Sequence, residues 1–371
     1  MRKKILYILP EYNANATTHY VHIFELLERL GKDLDIFLLV EESVGQPVIK
    51  NLKKIYVPRN FLDRFLTIIR ARSLGYKKAY VHYSYWGAIL SSLVFRPTGG
   101  KVFYWHCEVY DQFFSDFKLN LESLKKKLLD EYLMVLTLKM VNYLVTGTPT
   151  VGKFYEKQFN LPKNKVKIVP NWINPARFEV NKNKEQLRRV LGLPKNKKIV
   201  LFLHRLAPRK GADLLPKIIK GVSLGIPDVY FVIAGEGPTR QNLEVAIKQN
   251  KIANAKLVGA VPNIETPKYF AAADIFILPS RQEGFPRILI ECMAAGLPFV
   301  AMNVAGTKDI INKEQKQYLV PKGDLKIFIQ KTINLLQQPR ELHKLSISGK
   351  KQVVRYHINN VTEQFIKLLN S

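Results

Sequence analysis

The sequence predicts an α/β protein made of two doubly wound domains, each built on a parallel β-sheet. At 371 residues the chain is too long for one ordinary core and suits two domains. Short β-rich runs alternate with longer helical patterns, as in repeated strand–helix–strand units. Several of these runs are apolar throughout, which is typical of strands covered by helices on both faces.

The predicted strands divide between the two halves of the chain. In the first half they are Lys4–Leu9, Asp35–Val40, Lys54–Val57, Ala79–Tyr83, Val102–His106, Tyr143–Thr146 and Val166–Val169. In the second half they are Ile199–His204, Val229–Ala234, Lys256–Val258, Asp274–Leu278, Phe299–Ala301 and Tyr318–Val320. We expect a first domain at 1–178, onto which a C-terminal helix at 356–371 packs back, and a second at 185–355. Because ligands bind at the carboxyl ends of strands in such sheets, we expect two Rossmann-like domains to face each other across a cleft.

Composition and charge narrow the class of protein. Cys107 and Cys292 lie far apart with no metal-ligand spacing, which favours a reduced, cytoplasmic compartment over a disulfide framework. No run of about 18 uncharged apolar residues occurs, so we expect no membrane-spanning helix. The formal charge of +28 favours anionic partners such as phospholipid or phosphorylated substrates. Nucleic acid is not expected, because the basic residues form no recognisable RNA-binding motif.

The segment Asp274–Val300 carries the strongest local pattern. A strand leads into the loop Pro279–Phe285, and a helix follows with Pro286 in its first turn and Gly296 at its end. Gly284 permits close backbone approach at the helix N-terminus, where free amides favour an anion such as phosphate.

Two carboxylates belong to this segment, Glu283 at the mouth of the helix and Glu291 within it. Each carboxylate can accept hydrogen bonds from hydroxyl groups, so a pair beside a phosphate site suits two sugar rings. A simpler interpretation stays open. Arg287 and Glu291 could form a surface ion pair at i,i+4, and Glu283 could merely complement the helix dipole.

This segment resembles the group 1 (family 4-like) retaining glycosyltransferases of GT-B fold. Their hallmark is Glu, seven residues, Glu in a strand–loop–helix context, and here it reads EGFPRILIE, from Glu283 to Glu291. The resemblance continues through AAADIFILPS upstream, covers most of the chain and is densest over 200–310. It implies a hexosyl transfer from a nucleotide-sugar to a glycan or lipid-linked acceptor, with the backbone at Gly284 and Phe285 near the donor phosphates.

Further motifs resemble the same family. The stretch from His204 to Gly211 is similar to its Gly-Arg-Leu…Lys-Gly signature, in which Arg205 and Lys210 would bind a diphosphate. The strand ending at Gly235 is similar to one that ends near the nucleotide. The strand ending at His106 is similar to one whose terminal histidine faces the donor sugar. A solvated basic loop is the alternative to the first of these assignments, and a structural histidine is the alternative to the last.

The sequence departs from the family pattern at three places. Thr17 and Thr18, in the loop Pro10–Tyr20, stand where the family usually has Gly-Gly beside the donor phosphates. His204 replaces a glycine, and Asp309 replaces a glutamate. These departures leave the fold and class intact and bear on donor binding.

No metal or cofactor is expected. Asp33-Leu-Asp35 matches a metal-binding pattern of another glycosyltransferase fold, but it precedes a strand instead of following one, so we interpret the match as chance. A complete G-x-G-x-x-G fingerprint is absent from the sequence, since Gly235-Glu-Gly237 lacks the third glycine. Arg205, Lys210 and the helix N-terminus could supply the positive charge that a metal would otherwise give.

The segment Arg59–Lys78 alternates apolar and basic residues, and Phe113, Phe114, Phe117 and Leu119 precede Lys125–Lys127. Such segments could seat the first domain on anionic lipid, as a protein peripheral on the cytoplasmic face, or could be ordinary amphipathic helices. The sequence therefore predicts a retaining, metal-independent glycosyltransferase, with Glu283 and His106 in the catalytic site. The alternatives are a nucleotide-sugar epimerase of the same fold and a non-catalytic basic protein that binds nucleotide or membrane.

Overall fold

A computed structural model describes residues 2–14, 21–109 and 121–370. The described residues form two compact units. Those within Met1–Glu108, Phe117–Pro170 and Ile358–Ser371 form the first, and Val109 with Asn171–His357 forms the second. Residues 171–178, which the sequence analysis placed in the first domain, belong to the second unit. One reason is that the amide of Ile173 donates to the carbonyl of Tyr356 at 2.9 Å.

The first unit is a seven-stranded parallel sheet in the order β3-β2-β1-β4-β5-β6-β7. Its strands are β1 (Lys3–Asn13), β2 (Leu34–Val44), β3 (Lys54–Tyr56), β4 (Lys78–His82), β5 (Lys101–Trp105), β6 (Tyr143–Thr146) and β7 (Val166–Ile168). Its helices are α1 (Val21–Leu30), α2 (Phe61–Ser73), α3 (Tyr85–Phe95), α4 (Leu121–Met140), α5 (Pro149–Gln158) and, from the end of the chain, α15 (Ile358–Asn370).

The second unit is a six-stranded parallel sheet in the order β10-β9-β8-β11-β12-β13. Its strands are β8 (Lys198–Leu203), β9 (Val229–Ala234), β10 (Ala255–Gly259), β11 (Ile275–Leu278), β12 (Phe299–Asn303) and β13 (Leu319–Pro321). Its helices are α6 (Lys184–Val190), α7 (Leu215–Gly225), α8 (Arg240–Gln249), α9 (Thr266–Ala272), α10 (Arg287–Ala295), α11 (Thr307–Ile310), α12 (Lys313–Lys316), α13 (Leu325–Leu336) and α14 (Pro339–Val353).

Each predicted strand is present, and most boundaries differ by one or two residues. The central strands are buried on both faces, as their apolar runs predict; Ile5 to Leu9 of β1, for example, are at most 1% exposed. The clearest difference is at Pro10, where the sequence predicts a loop and β1 continues to Asn13. The strand continues because residues 11–13 stay paired with β2, from Glu11 opposite Glu42 to Asn13 opposite Val44.

The C-terminal helix α15 belongs to the first unit. The ring of Phe365 lies 4.6 Å from that of Tyr80 and 6.4 Å from that of Tyr7, measured between centroids. Tyr7 and Tyr80 lie on the neighbouring strands β1 and β4, so the last helix closes one face of the sheet at its centre. This packing buries three aromatic rings, each a large apolar contribution to stability.

The sheet order reverses direction once in each unit, between β1 and β4 and between β8 and β11. In doubly wound sheets the loops at such a switch point diverge and leave a crevice at the carboxyl ends of the strands. The loops that follow β8 and β11 are those that carry Arg205, Lys210 and Glu283. The topology of the second unit therefore brings the predicted donor-site motifs to one edge of its sheet.

Large apolar side chains are exposed on three adjacent helices of the first unit, α2, α3 and α4, and at Leu74, which directly follows α2. They are Phe61, Leu62, Leu66, Ile69, Leu74, Trp86, Leu93, Leu124, Leu128, Leu129 and Tyr132. The helices contact one another in sequence, and the rings of Phe61 and Trp86 pack edge to face at 5.5 Å. We refer to these eleven residues as the outer apolar face. Within the described part of the chain, no helix is both long and apolar enough to cross a bilayer.

Candidate active site

The two loops at the switch point of the second unit are fastened to each other through their backbones. The amide of Arg281, after β11, donates to the carbonyl of Arg209, after β8, at 2.9 Å. At Gly211, which has φ of +73°, a Cβ would lie 2.2 Å from the carbonyl oxygen of Pro279. Only glycine permits so close an approach in this left-handed conformation.

A bidentate ion pair fixes the same two loops from the side chains. The guanidinium of Arg281 donates to both carboxylate oxygens of Asp213, each at 2.7 Å. This fork-to-fork geometry restricts orientation as well as distance. The ion pair thus fixes the position of the loop after β11 relative to the loop after β8.

Lys210 and Glu283 meet across these loops. The ammonium Nζ of Lys210 donates to Oε1 of Glu283 at 2.8 Å, and the two side chains are only 10% and 6% exposed. A buried carboxylate and ammonium stabilise each other only when paired, because each alone has a large desolvation cost. The sequence assigned Lys210 to a diphosphate and Glu283 to a sugar; the structure shows the two side chains in direct contact.

His204, the residue that replaces the family's glycine, also faces Glu283. Its Nδ1 accepts the amide of Arg205 at 2.8 Å, so the proton of a neutral ring must lie on Nε2. Nε2 lies 3.6 Å from Oε1 of Glu283. Burial, followed by the charges of Lys210 and Arg209, lowers the pKa of His204 well below its usual value, so a neutral ring lies beside the carboxylate, just beyond hydrogen-bonding distance.

The helix that follows Glu283 begins one residue later than predicted. α10 starts at Arg287, and Pro286 is its N-cap rather than part of its first turn. The reason is that Pro286 has ψ of +83°, outside the helical range. The first amides of such a helix have no acceptor within it, and its end at Gly296, with φ of +68°, is as predicted. The ring of Phe285 is buried and packs edge to face on Tyr356, with 5.8 Å between the ring centroids.

Glu291 forms the predicted i,i+4 ion pair with Arg287, at 3.0 Å through Oε1. The pair is not a surface pair, since the two side chains are 18% and 9% exposed for Arg287 and Glu291 respectively. Burial raises the pKa of Glu291, while the charges of Arg287 and Arg177 oppose this rise. The carboxylate is therefore held in a partly desolvated place where a hydroxyl donor would bind strongly.

Gly235 is required by packing at the end of β9. It has φ of +140°, and a Cβ there would lie 1.9 Å from the carbonyl oxygen of His204. The glycine thus lets β9 end against the loop after β8. Arg205, by contrast, has an exposed side chain beside this contact.

Several buried polar atoms close in sequence to this site have no hydrogen-bond partner within the described chain. They are Oγ of Ser280, Oε1 of Gln282 and Nε of Arg287. Buried polar atoms are almost always paired in native proteins, so these three atoms have unused capacity to hydrogen-bond a ligand or water. The site thus offers a buried ion pair, a helix N-terminus, a second carboxylate and unpaired polar atoms on one edge of the sheet.

His106 lies in the first unit, just after β5. Its Nδ1 is 2.5 Å from the hydroxyl oxygen of Tyr155, and its side chain is buried. Burial lowers the pKa of His106 to about 3, so the ring is neutral near pH 7. Thr17 and Thr18, and Phe113 to Leu119 of the predicted lipid-facing segment, lie outside the described residues.

Asp33 and Asp35 are occupied by structural contacts. Asp33 pairs with Arg29 at 3.2 Å, and Asp35 pairs with Lys54 at 3.1 Å and accepts from the hydroxyl of Tyr76. Over residues 2–14, 21–109 and 121–370, no group of three or more His, Cys, Asp or Glu side chains is arranged to hold a metal ion.

The second unit matches a known family of sequences. The sequence model described as "Glycosyl transferases group 1" matches residues 183–352, which span every residue of the site in this unit. Over that range, a little under half of the chain, the second unit is similar to the group 1 glycosyltransferases. The resemblance identified from EGFPRILIE is therefore confirmed.

Similar proteins include an uncharacterized glycosyltransferase of Methanocaldococcus jannaschii, 35% identical over 177 residues, 44% of each chain. A UDP-Gal:alpha-D-GlcNAc-diphosphoundecaprenol alpha-1,3-galactosyltransferase of Escherichia coli is 26% identical over 58% of this chain and 57% of its own. The matches thus span about half the length of these relatives.

The fold of the whole chain is similar to that of the Anabaena protein HepE, solved with UDP and glucose. The TM-score is 0.77 over 100% of both chains, at 14% identity. At this identity the likeness shows the fold alone. Together with the two parallel sheets, it confirms the predicted GT-B fold class.

Some residues that shape the site could not be identified from the sequence. Asp213 and Arg281 join the loops, but neither stood out, because a bidentate contact between separate loops leaves no pattern along the chain. Tyr155 was also missed, since it is an ordinary helix residue until the fold places it against His106. His204 was noticed only as a departure, and its contact with Glu283 could not be foreseen.

The close approach at Gly211 predicts a specific cost of adding a methyl group. Gly323→Ala is the control, because Gly323 has φ of +86° and a Cβ there would have no neighbouring atom within 4 Å. It should lower the free energy of unfolding by about 1 kcal/mol from backbone strain alone. Gly211→Ala adds a clash with Pro279 and should cost about 1–3 kcal/mol more. Urea unfolding followed by circular dichroism measures both. Equal losses for the two variants would show that the loops do not depend on this contact.

Proposed function

We propose that the chain is a retaining, metal-independent glycosyltransferase that moves a hexose from a nucleotide-sugar to an acceptor hydroxyl. The observation that carries the proposal is the contact of Lys210 with Glu283 at the switch point, directly before the N-terminus of α10. This edge combines groups for a diphosphate with groups for sugar hydroxyls. The family of the second unit and the nucleotide-sugar named for the relative in Escherichia coli support it.

Each part of the donor has a matching group. Arg205, Lys210 and the amides around Gly284–Phe285 bind the diphosphate, because cations and helix N-termini both favour phosphate. Glu291 accepts hydrogen bonds from the ribose through Oε2, since Arg287 contacts Oε1. Glu283 binds the hydroxyl groups of the transferred sugar.

The environment of Glu283 bears on the mechanism. One of its oxygens is held by Lys210 and faces Nε2 of His204, which lowers its nucleophilicity and suits it to orienting a sugar. We therefore assign no covalent intermediate to it. In this proposal a donor phosphate oxygen takes the acceptor proton while the sugar–phosphate bond breaks on the same face. Positive charge from Lys210, Arg205 and the helix N-terminus stabilises the departing diphosphate.

A donor screen tests this assignment. Purified protein with excess chelator is offered UDP-, GDP- and ADP-sugars with a panel of glycan and lipid-linked acceptors. We expect one nucleotide to be released and the product to keep the anomeric configuration of the donor, as seen by NMR. Because a charge-assisted hydrogen bond contributes about 1.5–3 kcal/mol, Glu291→Ala should lower kcat/KM about ten- to a hundredfold.

The matched control is Glu185→Ala, which removes an exposed carboxylate from α6 of the same unit and should leave turnover unchanged. Conversion of the nucleotide-sugar without transfer would indicate an epimerase instead. Binding of a nucleotide-sugar without any turnover would indicate a non-catalytic protein. Loss of activity with chelator alone would contradict metal independence, and an inverted product would contradict retention.

We also propose that the outer apolar face seats the first unit on an anionic phospholipid surface, where a lipid-linked acceptor would be found. The face collects about half of the exposed large apolar side chains of the described residues on three adjoining helices. Exposed basic side chains border it, including Arg59, Arg70, Arg96 and Lys125. An apolar face ringed by cations matches the interior and headgroups of an anionic bilayer.

Vesicle co-sedimentation tests this surface. Replacing Leu62 and Leu66 together by Asp should weaken binding to phosphatidylglycerol-containing vesicles at least about tenfold, because two apolar side chains leave the bilayer. Leu224→Asp, on the most exposed leucine of the second unit, is the control. The proposal would be contradicted if wild-type protein did not bind anionic vesicles at low salt, or if it formed oligomers through this face.

A further inference from the structure

A hydrogen-bond chain fixes the proton positions around His106. The hydroxyl of Tyr155 lies 2.9 Å from the carbonyl oxygen of Glu108 and 2.5 Å from Nδ1 of His106. A carbonyl oxygen can only accept, and a phenol has one proton to donate. Tyr155 therefore donates to Glu108, and its oxygen must accept a proton from Nδ1 of His106.

These donor and acceptor assignments determine the tautomer of the His106 imidazole. A neutral ring carries one proton, and here it lies on Nδ1, so Nε2 presents a lone pair and no hydrogen. The low pKa of His106, caused by burial, keeps the ring in this neutral form at neutral pH. His204 is held in the opposite way, with its proton on Nε2, because its Nδ1 accepts the amide of Arg205.

The backbone positions of His106 and Tyr155 are both fixed by hydrogen bonds or packing. The amide of His106 donates to the carbonyl of Val145 at 2.9 Å, which fixes the backbone just beyond β5. Tyr155 is fully buried in α5, a helix capped by the side chain of Thr148 at the amide of Val151. The phenol of Tyr155 thus contacts His106 from a different, well-anchored element, and this arrangement suits a residue that orients the imidazole.

We propose that Tyr155 is a positioning residue that holds His106 as its Nδ1–H tautomer, so that Nε2 accepts a hydrogen bond from a sugar hydroxyl. The inference rests on the proposed function only in assigning the hydroxyl that donates to Nε2 to a sugar. In this role His106 binds and orients substrate. It does not donate a proton to a leaving group at neutral pH.

The tautomer can be measured without any assay of activity. Full-length protein labelled with ¹⁵N in its histidines is studied by long-range ¹H–¹⁵N correlation, and the His106 signals are assigned from their loss in His106→Gln. The expected result is a protonated Nδ1 and an Nε2 shifted far downfield, as for a nitrogen without hydrogen. A protonated Nε2 at neutral pH would overturn the proposal even if glycosyl transfer is established.

Two tyrosines provide a matched pair of variants. Tyr155→Phe removes the acceptor for Nδ1–H. Tyr104→Phe removes a buried hydroxyl that has no partner within the described chain, from a ring that also stacks on His106 at 5.9 Å. We expect Tyr155→Phe to populate both tautomers and to lower kcat/KM about tenfold, as for the loss of one hydrogen bond. Tyr104→Phe should leave the tautomer and kcat/KM unchanged.

The outcomes separate this inference from the proposed function. A tautomer shift in Tyr155→Phe with no turnover of any donor would support the positioning role and contradict the transferase assignment. Turnover that is normal in Tyr155→Phe, or a tautomer that does not change, would overturn the positioning role while leaving the transferase assignment intact. If Tyr155→Phe does not fold, the spectrum of the wild-type protein still decides the tautomer.

Discussion

The junction between the loops after β8 and β11 is the constraint on which the site of the second unit depends. The loop after β11 has no helix or strand before α10, and the loop after β8 has only two short 3-10 turns, Pro208–Lys210 and Ala212–Leu214. Ordering such segments costs about 1–2 kcal/mol per residue in conformational entropy. Gly211 against Pro279, and Arg281 paired with Asp213, order the two loops together. Because both loops leave neighbouring parallel strands, their order is inherited from the sheet.

That order makes a buried charge pair possible. Lys210 and Glu283 are mostly hidden from water, and removing one partner from such a pair typically costs about 3–5 kcal/mol. Because Glu283 offsets part of the charge of Lys210, Arg205 and the N-terminus of α10 add to the positive field for a diphosphate. The neutral ring of His204 lies beside the same carboxylate, with Nε2 at 3.6 Å from Oε1 of Glu283.

Much of the architecture could be predicted from the sequence. Apolar runs such as Val229–Ala234 identify strands because a strand buried on both faces has no polar positions, and helix ends such as Gly296 need particular residues. The position of Glu283 followed from a local strand–loop–helix pattern. What could not be predicted depends on contacts between distant segments. Arg281 with Asp213, and Tyr155 with His106, meet only after the chain has folded, and the extension of β1 past Pro10 depends on pairing with β2.

The central claim is that this edge of the second sheet binds the diphosphate of a nucleotide, and titration calorimetry with UDP, GDP and ADP tests it most directly. We predict that one of them binds in a one-to-one complex. Lys210→Met should weaken binding about ten- to a hundredfold, because a charged donor to phosphate is lost. Lys220→Met, an exposed lysine on α7, should have no effect. Failure of all three nucleotides to bind, or equal affinities for the two variants, would contradict the account.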